Sequence, residues 1–374
     1  MRKVLLYSIL LLVGLFGSQL SFIAGAHWRH PLMMTALAFI MIHVGLEFEI
    51  DKSKLAVYGK DAAIATAAAS LPWVFCTIYF VFVLSPHGWH ESKAWNEALL
   101  EGLFSAPTSA GVLFSMLAAA GLHATWVFSK ARVLAVFDDL STLLLLIPLK
   151  IALMGFQWQL IVVVAFMVML IFIAWKYLHH FILPVKWRFV LAYAVLVTAF
   201  CIAVEYFSRR TITIEVLLPA FVFGCVIRQS RGHDTHDESS HHLTERRAST
   251  IISAIFMLLV GLSMPKISLQ SSAGGQSIGW SIVLLHVLAI TFLSNLGKML
   301  PAFCYKKDAP AKHRIALAVS MFPRGEVGAG VLVIAVNYGI ANTALTVAVL
   351  SLALNLVCTG LFILVVKKLL KPAV

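Results

Sequence analysis

Long apolar runs alternate with short polar segments along the whole chain. Each run is roughly as long as a helix that crosses a bilayer, which needs about 20 apolar residues, and none has the period-two alternation of a barrel strand. The predicted spans cover about 4–24, 31–48, 58–84, 96–121, 126–150, 158–176, 189–207, 212–228, 248–265, 278–304, 314–338 and 343–366. Since only helices and closed barrels satisfy their backbone in lipid, the pattern predicts an all-α polytopic membrane protein with about 12 transmembrane helices.

The composition agrees with a membrane protein, because 60% of the residues are hydrophobic and only 12% are charged, against about 25% charged in a soluble domain. The net charge of +12 could indicate a nucleic-acid partner, but the basic residues are unevenly placed. Of the 29 Lys and Arg residues, 21 fall in connections on the side of the N-terminus, six on the other side and two inside spans. This is the positive-inside bias, so both termini are predicted to be cytoplasmic and no nucleic-acid partner is expected.

The connections between the spans are short, and the longest hydrophilic one runs from about Arg228 to Arg247. We therefore expect residues 1–374 to form one transmembrane domain without a soluble regulatory domain. Residues 1–26 also resemble a cleavable signal peptide, with a basic start, an apolar run and small residues at the end. Because the apolar run reaches full spanning length, we expect it to be retained as the first helix.

The fourth and eleventh spans each have a proline near the middle, followed by small or polar residues. Pro107 precedes Thr108 and Ser109, and Pro323 is followed two residues later by Gly325. Proline removes a backbone donor and clashes with the preceding turn, so both helices are predicted to break there. Non-helical backbone at membrane depth occurs where it lines a cavity.

A similar Ala-Gly-Val-Leu run follows each break, at 110–113 and 329–332. The two spans are seven apart and therefore cross the membrane in opposite directions. Paired broken helices in inverted repeats are typical of secondary transporters, whose site lies near the midplane between the repeats. We predict two crossed discontinuous helices with a binding site at their crossing.

Two adjacent carboxylates, Asp138 and Asp139, lie at the centre of the fifth span. A carboxylate at that depth costs roughly 3 kcal/mol even on lenient insertion scales. A buried ion pair between helices could account for one of them, but adjacent helical residues point about 100° apart and do not easily share a partner. We interpret the pair as functional, with one carboxylate facing a neighbouring helix and the other a water-filled cavity.

Carboxylate oxygens suit a hard monovalent cation such as Na⁺, and partial desolvation also favours the protonated form. Protons and sodium then compete for the same oxygens, which is antiport in its simplest form. Asp138 and Asp139 are the predicted Na⁺ ligands. The hydroxyls of Thr108 and Ser109 and the carbonyls at the Pro107 break can supply the remaining oxygens, and no cofactor is expected.

Three further charged residues lie inside the spans. Lys298, in span ten, either snorkels to the headgroups or pairs with Asp138 and adds a second proton-exchanging group, which is the interpretation we favour. Arg324 and Glu326 lie inside the break of span eleven. We expect them to neutralise charge at the crossing or to pair with other helices rather than to bind the ion.

These motifs together resemble the cation–proton antiporter superfamily, and within it the bacterial electrogenic sodium–proton antiporters that carry a double-aspartate motif. The similarity spans essentially the whole chain. The matching segments are 106–109, 137–139, 297–298 and 324–327, with the Gly-Leu pairs at 45–46 and 261–262.

The resemblance implies a core domain, about residues 58–150 and 278–370, that moves against a dimerisation domain formed by the other helices. It also implies a homodimer in the bacterial inner membrane, with Asp139 as the carrier of cation and proton. Asp138 is then salt-bridged to Lys298 in part of the cycle. Transport is expected to be electrogenic exchange of Na⁺ or Li⁺ for H⁺.

One departure from the resemblance concerns the first crossing helix. Some sodium antiporters have an acidic residue there, where this chain has Thr108 and Ser109. A K⁺/H⁺ antiporter of the same fold is therefore the alternative.

A polar loop carries four histidines, His233, His236, His241 and His242. Its simplest interpretation is a solvated linker between two spans. Since imidazole titrates near neutrality, a cytoplasmic pH or metal sensor is the alternative.

Two other classes of membrane protein fit the pattern less well. A membrane aspartyl protease brings aspartates from separate helices to one water, whereas Asp138 and Asp139 point apart. An ion channel is expected to present a filter or a ring across subunits, whereas two inverted broken helices favour alternating access. The sequence therefore predicts a transporter of monovalent cations and not an enzyme.

Overall fold

The computed structural model describes residues 2–18, 28–46, 55–85, 88–154, 158–177, 180–207, 216–228, 238–262, 280–337, 339–340 and 342–370. Within these residues the helices are α1 (Arg2–Ser18), α2 (Arg29–Leu46), α3 (Leu55–Tyr79), α4 (Ser92–Gly102), α5 (Ala110–Ala119), α6 (Trp126–Met154), α7 (Trp158–Lys176), α8 (Trp187–Phe207), α9 (Leu217–Val226), α10 (Glu238–Leu262), α11 (Trp280–Gly297), α12 (Pro301–Cys304), α13 (Ala311–Ser320), α14 (Glu326–Asn337) and α15 (Thr343–Leu370).

Short irregular elements extend or connect these helices. A π-helical turn, Phe80–Leu84, continues α3, and a 3₁₀ turn, Leu103–Ser105, continues α4. Two short parallel strands, β1 (Phe181–Ile182) and β2 (Ile227–Arg228), follow α7 and α9 respectively.

Each predicted span contains a described helix, and the fourth and eleventh are divided, into α4 and α5 and into α13 and α14. Large apolar side chains are exposed along several helices, such as Leu196 at 65% and Phe292 at 66%, which suits a surface in contact with lipid. Six described segments could cross a membrane by length and composition alone: 29–46, 57–84, 92–119, 187–207, 280–304 and 343–370. The predicted all-α polytopic fold with two discontinuous helices is confirmed.

The chain divides into two compact units. The first contains residues 1–25, 56–156 and 260–374, and the second contains 26–55 and 157–259. Both broken helices, the aspartate-bearing α6 and the lysine-bearing end of α11 belong to the first unit. The division into a moving core and a dimerisation domain stays a prediction.

Glycines bring helices into close contact inside each unit. In the second unit, a Cβ on Gly45 would lie 2.3 Å from the carbonyl oxygen of Phe221, and one on Gly224 would lie 2.3 Å from that of Ile42. In the first unit, a Cβ on Gly261 would lie 2.3 Å from the carbonyl oxygen of Leu11. Small residues allow membrane helices to approach this closely.

These glycines lie at contacts between two pairs of helices, and the order of the spans relates the two pairs. One joins α2 and α9, the second and eighth spans, and the other joins α10 and α1, the ninth and first. A shift of seven spans exchanges the two pairs, as it exchanges the two broken helices. The repetition agrees with an inverted repeat.

Candidate ion-binding site at the helix crossing

The two broken helices meet at their breaks, and we call residues 106–109 and 321–325 together the crossing. The backbone N–H of Ser109 donates to the carbonyl of Pro323 over 2.9 Å, and the Thr108 hydroxyl donates to that of Met321 over 3.0 Å. A Cβ on Gly325 would lie 2.6 Å from Ser109 Oγ. Glycine is therefore required for the approach of the two breaks.

Asp138 and Lys298 form a buried ion pair beside the crossing. The ammonium of Lys298 lies 2.7 Å from both carboxylate oxygens of Asp138, and neither side chain has any exposed area. The backbone N–H of Thr108 donates to the same carboxylate over 2.8 Å. Lys298 therefore does not snorkel to the headgroups, and Asp138 is held by three hydrogen bonds.

Gly297 explains how Lys298 reaches this depth. A Cβ on Gly297 would lie 2.5 Å from the backbone nitrogen of Pro72 in α3. The absent side chain lets the end of α11 pack directly on α3, next to the lysine. Proline at 72 has no N–H to leave unsatisfied at this contact.

Charges at the crossing face the helix ends that they stabilise. The Asp138 carboxylate accepts from Thr108 just before α5 begins, where the helix dipole favours negative charge. The guanidinium of Arg324, with 0% exposure, donates to carbonyls of Met321 over 3.3 Å and Pro107 over 3.5 Å, and to that of Ser294 over 3.2 Å. Arg324 thus satisfies carbonyls at the C-terminal ends of both first half-helices, which otherwise lack partners.

Asp139 is the second carboxylate of the pair and is 3% exposed. It acts electrostatically on the Lys298 ammonium, as Asp138 also does. On a regular helix its side chain leaves α6 about 100° around the axis from that of Asp138. Asp138 therefore forms the ion pair with Lys298, and the side chain of Asp139 leaves the helix in a different direction.

The hydroxyls predicted as ion ligands already have roles in the backbone of the crossing. Ser109 caps α5 by accepting from the N–H of Val112 over 3.4 Å, while Thr108 donates to Met321. A hydroxyl oxygen has two lone pairs, so each can still accept or coordinate. Their role as ligands stays a prediction.

Several predicted residues lie partly or wholly outside the described part of the chain. Glu326 is the first residue of α14, but its side chain is not among those described. His233 and His236 lie outside the described residues. His241 and His242 lie in α10, again without a described side chain, so the interpretation of this loop is unchanged.

A second buried cluster, away from the crossing, was not predicted from the sequence. Asp61, 1% exposed, lies 2.7 Å from the Lys130 ammonium and accepts from the Tyr305 hydroxyl over 2.7 Å. Burial, and then the hydrogen bond to Asp61, raise the pKa of Tyr305, so the hydroxyl remains a donor. In the sequence, this cluster is indicated only by Asp61, a carboxylate near the start of the predicted span 58–84. Among the described residues, no group of three or more His, Cys, Asp and Glu side chains could hold a metal ion.

Crossed broken helices in inverted repeats, with buried carboxylates and an ammonium beside the crossing, define an ion-coupled secondary transporter. The family model described as sodium/hydrogen exchanger, transmembrane, matches residues 4–368. The chain belongs to this sodium/hydrogen exchanger family.

A solved structure supports the same fold. The sodium proton antiporter MjNhaP1 from Methanocaldococcus jannaschii, determined at pH 8, is 15% identical and has a TM-score of 0.52, with 97% of this chain and 90% of that chain covered. No curated protein sequence matches the chain. The protein is therefore a multi-pass membrane antiporter of monovalent cations and protons, and not an enzyme.

Proposed function

We propose that the protein exchanges Na⁺ or Li⁺ for H⁺ by alternating access, and that cation and proton compete for Asp139. The observation that carries this proposal is the buried ion pair beside the crossing. Lys298 and the Thr108 N–H already hold the Asp138 carboxylate. The exchangeable role then falls to Asp139, the other buried carboxylate on α6.

The oxygen atoms around the crossing suit a hard cation with little affinity for nitrogen or sulfur ligands. Carboxylate oxygens of Asp139 and Asp138, hydroxyls of Thr108 and Ser109, and carbonyls of the crossing are the proposed ligands. A small shift of the crossing would turn carbonyls that now accept internal hydrogen bonds toward the ion. No resident cofactor takes part.

Electrogenic exchange moves unequal numbers of the two ions per cycle. We assign the excess to protons, and Lys298 supplies the second proton-exchanging group. When the cation draws Asp138 into its coordination, the lysine loses its partner and its buried ammonium becomes costly. It then releases a proton. Arg324, which is held by backbone carbonyls, keeps its charge throughout and compensates the helix ends together with Glu326.

The wider organisation is proposed from the family resemblance. Residues 58–150 and 278–370 form the moving core, and the remaining helices form the dimer contact of a homodimer in a bacterial inner membrane. Both termini are cytoplasmic, as the basic residues of the connections indicate.

This orientation can be tested with fusion proteins. A fluorescent protein fused after Val374 should fluoresce, and alkaline phosphatase fused at Gly88 should be active. The reverse pattern would overturn the orientation.

A K⁺/H⁺ antiporter is the second candidate, because the first crossing helix offers hydroxyls at Thr108 and Ser109 instead of a carboxylate. A larger cation with lower charge density demands fewer charged ligands. The cation dependence of exchange separates the two candidates.

The test uses purified protein in proteoliposomes with an imposed proton gradient. Na⁺ and Li⁺ should each dissipate the gradient, and Asp139→Asn should abolish this exchange. Asp308→Asn is the matched control, since Asp308 is an exposed carboxylate of the same unit, and it should behave like the wild type. Exchange with K⁺ alone would overturn the sodium assignment, and Na⁺ exchange that survives Asp139→Asn would overturn the carrier.

A further inference from the structure

Another buried carboxylate lies in the first half of the first crossing helix. Glu101, one residue before the end of α4, is 1% exposed. The side chain of Asn342, at the start of α15, acts on its carboxylate as a polar neighbour, and its Oε1 is buried without a hydrogen-bond partner. A buried carboxylate oxygen left in this way is costly unless a proton or a cation accompanies it.

Asn342 connects Glu101 to a second carboxylate. Its amide nitrogen also donates to Glu97 Oε2 over 3.2 Å, while its carbonyl oxygen caps α15 by accepting from Leu345 over 2.8 Å. An amide has two N–H donors, so the nitrogen that donates to Glu97 keeps a second N–H, and its side chain is also a polar neighbour of Glu101. The orientation of the amide is fixed by the helix cap.

Glu97 links this cluster to the surface. It lies one helical turn before Glu101 on the same face of α4, its side chain is 17% exposed, and Lys93 lies 3.8 Å from it. The side chain of Lys93 is 64% exposed, and its ammonium compensates the outer carboxylate. Glu101 lies deeper, toward the crossing.

The other elements packed against α4 add no described compensating charge at Glu101. Trp73 and Thr77 of α3 bond to backbone carbonyls of α4, but the charged residues of α3, Lys60 and Asp61, lie near its opposite end. Residues 80–84 are all apolar, and residues 327–366, which include most of α14 and α15, contain no Asp, Glu, Lys or Arg. On α6, Asp138 and Asp139 belong to the site at the crossing, and the side chain of Lys150 is not among those described. Of the described residues, Glu97 is the charged group that acts on Glu101.

We propose that Glu101 is a proton-carrying group, separate from Asp139, which exchanges its proton with the solution through Glu97 on the side of the membrane where α4 begins. This inference rests on the proposed antiport and assigns a second group to its proton path. In the step, a hydronium ion gives its proton to the Glu101 carboxylate and leaves water, and the reverse step releases it. Glu97 and Glu101 lie one helical turn apart on the same face of α4, and Asn342, which donates to Glu97, is a neighbour of both carboxylates.

Position and burial favour a proton over a metal ion at this site. Glu101 and Glu97 are two carboxylates one helical turn apart, and a single proton relieves their repulsion without requiring the full shell of oxygen ligands that a metal ion needs. In the proposed topology α4 begins at the outer surface. Protons that drive cation export would therefore meet Glu97 and Glu101 before they reach the crossing.

The first experiment measures the protonation of Glu101 directly by infrared difference spectroscopy of the purified protein during a pH jump. The wild type should show a carboxyl band that Glu101→Gln removes. Glu91→Gln, at an exposed carboxylate just before α4, is the matched control and should keep the band. A band unchanged by Glu101→Gln would overturn the proposal.

The second experiment measures Na⁺/H⁺ exchange in oriented proteoliposomes while pH is varied on one side at a time. Glu101→Gln should cause a several-fold loss of rate at alkaline pH on the α4 side, where protons are scarce, and no change in the pH profile of the other side. Glu97→Gln changes a partly exposed residue and should cause a smaller loss of rate on the same side of the membrane. It keeps the relay testable if Glu101→Gln does not fold. Profiles that match the wild type on both sides would contradict the relay.

The two proposals fail in distinguishable ways. If the wild type exchanges no cation for protons, the proposed function fails, whereas the infrared band still reports on Glu101. If exchange is present and depends on Asp139 but not on Glu101, only the relay fails.

Discussion

The charges beside the crossing have been removed from water, and their pairing determines what they contribute. Lys298 and Asp138 have no exposed area. Such a pair adds little net stability relative to apolar residues, but removing one partner leaves an uncompensated buried charge that costs about 3–5 kcal/mol. The pair is therefore better explained by transport than by stability.

Lys298→Gln should lower the free energy of unfolding by about 3–5 kcal/mol, because Asp138 stays buried without its cation. The double variant Lys298→Gln with Asp138→Asn should recover most of this loss, since both groups are then neutral amides. Thermal unfolding in detergent measures both. Equal losses in the single and double variants would show that the ammonium is not balancing Asp138.

The cluster at Asp61 provides a comparison between a buried and an exposed ion pair. Lys130 and Lys60 both lie over the Tyr305 ring, at 5.3 Å and 5.2 Å from its centre. Lys130 pairs with Asp61, which is 1% exposed, whereas Lys60 pairs with Asp308 and both partners are more than 40% exposed.

Lys130→Met should destabilise the protein by about 1–3 kcal/mol, since a buried carboxylate loses a donor. Lys60→Met should cost about 0–1 kcal/mol, the range of exposed pairs. Chemical or thermal unfolding of the two variants side by side checks the difference. A larger effect for Lys60→Met would contradict the ranking.

Some of these functional candidates could be identified from the sequence, and others could not. Asp138, Asp139 and Lys298 stand out because each is an expensive charge in an apolar span. The contact of Glu101 with Asn342 could not be predicted, because 240 residues of chain separate them and only the packing of α4 and α15 brings them together. The spacing of residues along one helix does not specify which side chains of other helices they contact.

The two breaks show how proline and glycine act at the level of a helix. Proline ends the regular hydrogen bonding, and Gly325 then lets the second break approach Ser109. Gly330, five residues further along α14, is exposed, and a Cβ added there would meet no atom within 4 Å. The close contact therefore requires glycine at 325, and no contact with the described residues requires it at 330.

Gly325→Ala should separate the two breaks, cost about 1–3 kcal/mol through overpacking and sharply reduce exchange. Gly330→Ala is the matched control and should be neutral or stabilising by up to about 1 kcal/mol, because alanine favours helix. Exchange rates in proteoliposomes and thermal unfolding provide the readouts. Wild-type exchange by Gly325→Ala would argue against a tight crossing.

The spans were predictable to within a few residues at most ends, because a bilayer imposes both the length and the apolar composition of a helix. The breaks were predictable because proline has a local effect. The π-helical turn at 80–84 was not predicted. No proline or glycine lies within it, so its sequence gives no local signal.

At the level of the whole molecule, the repeat of seven spans relates the two broken helices and also the two glycine contacts. The compact unit that contains the crossing includes residues 1–25. A Cβ on Gly360 of α15 would lie 2.3 Å from Ser8 Oγ of α1, so α1 packs within this unit. Helices that are apolar on all sides do not indicate which face meets which partner, and this grouping required the structure.

The competition of cation and proton for Asp139 can be measured without a membrane. Na⁺ is added to the purified protein in a weakly buffered detergent solution, and proton release is followed with a pH indicator. The wild type should release protons, and the release should shrink at acidic pH, where protons outcompete the cation. Asp308→Asn should match it, and Asp139→Asn should release none. Proton release of wild-type size from Asp139→Asn would contradict the account, as would Na⁺ binding by the wild type without any proton release.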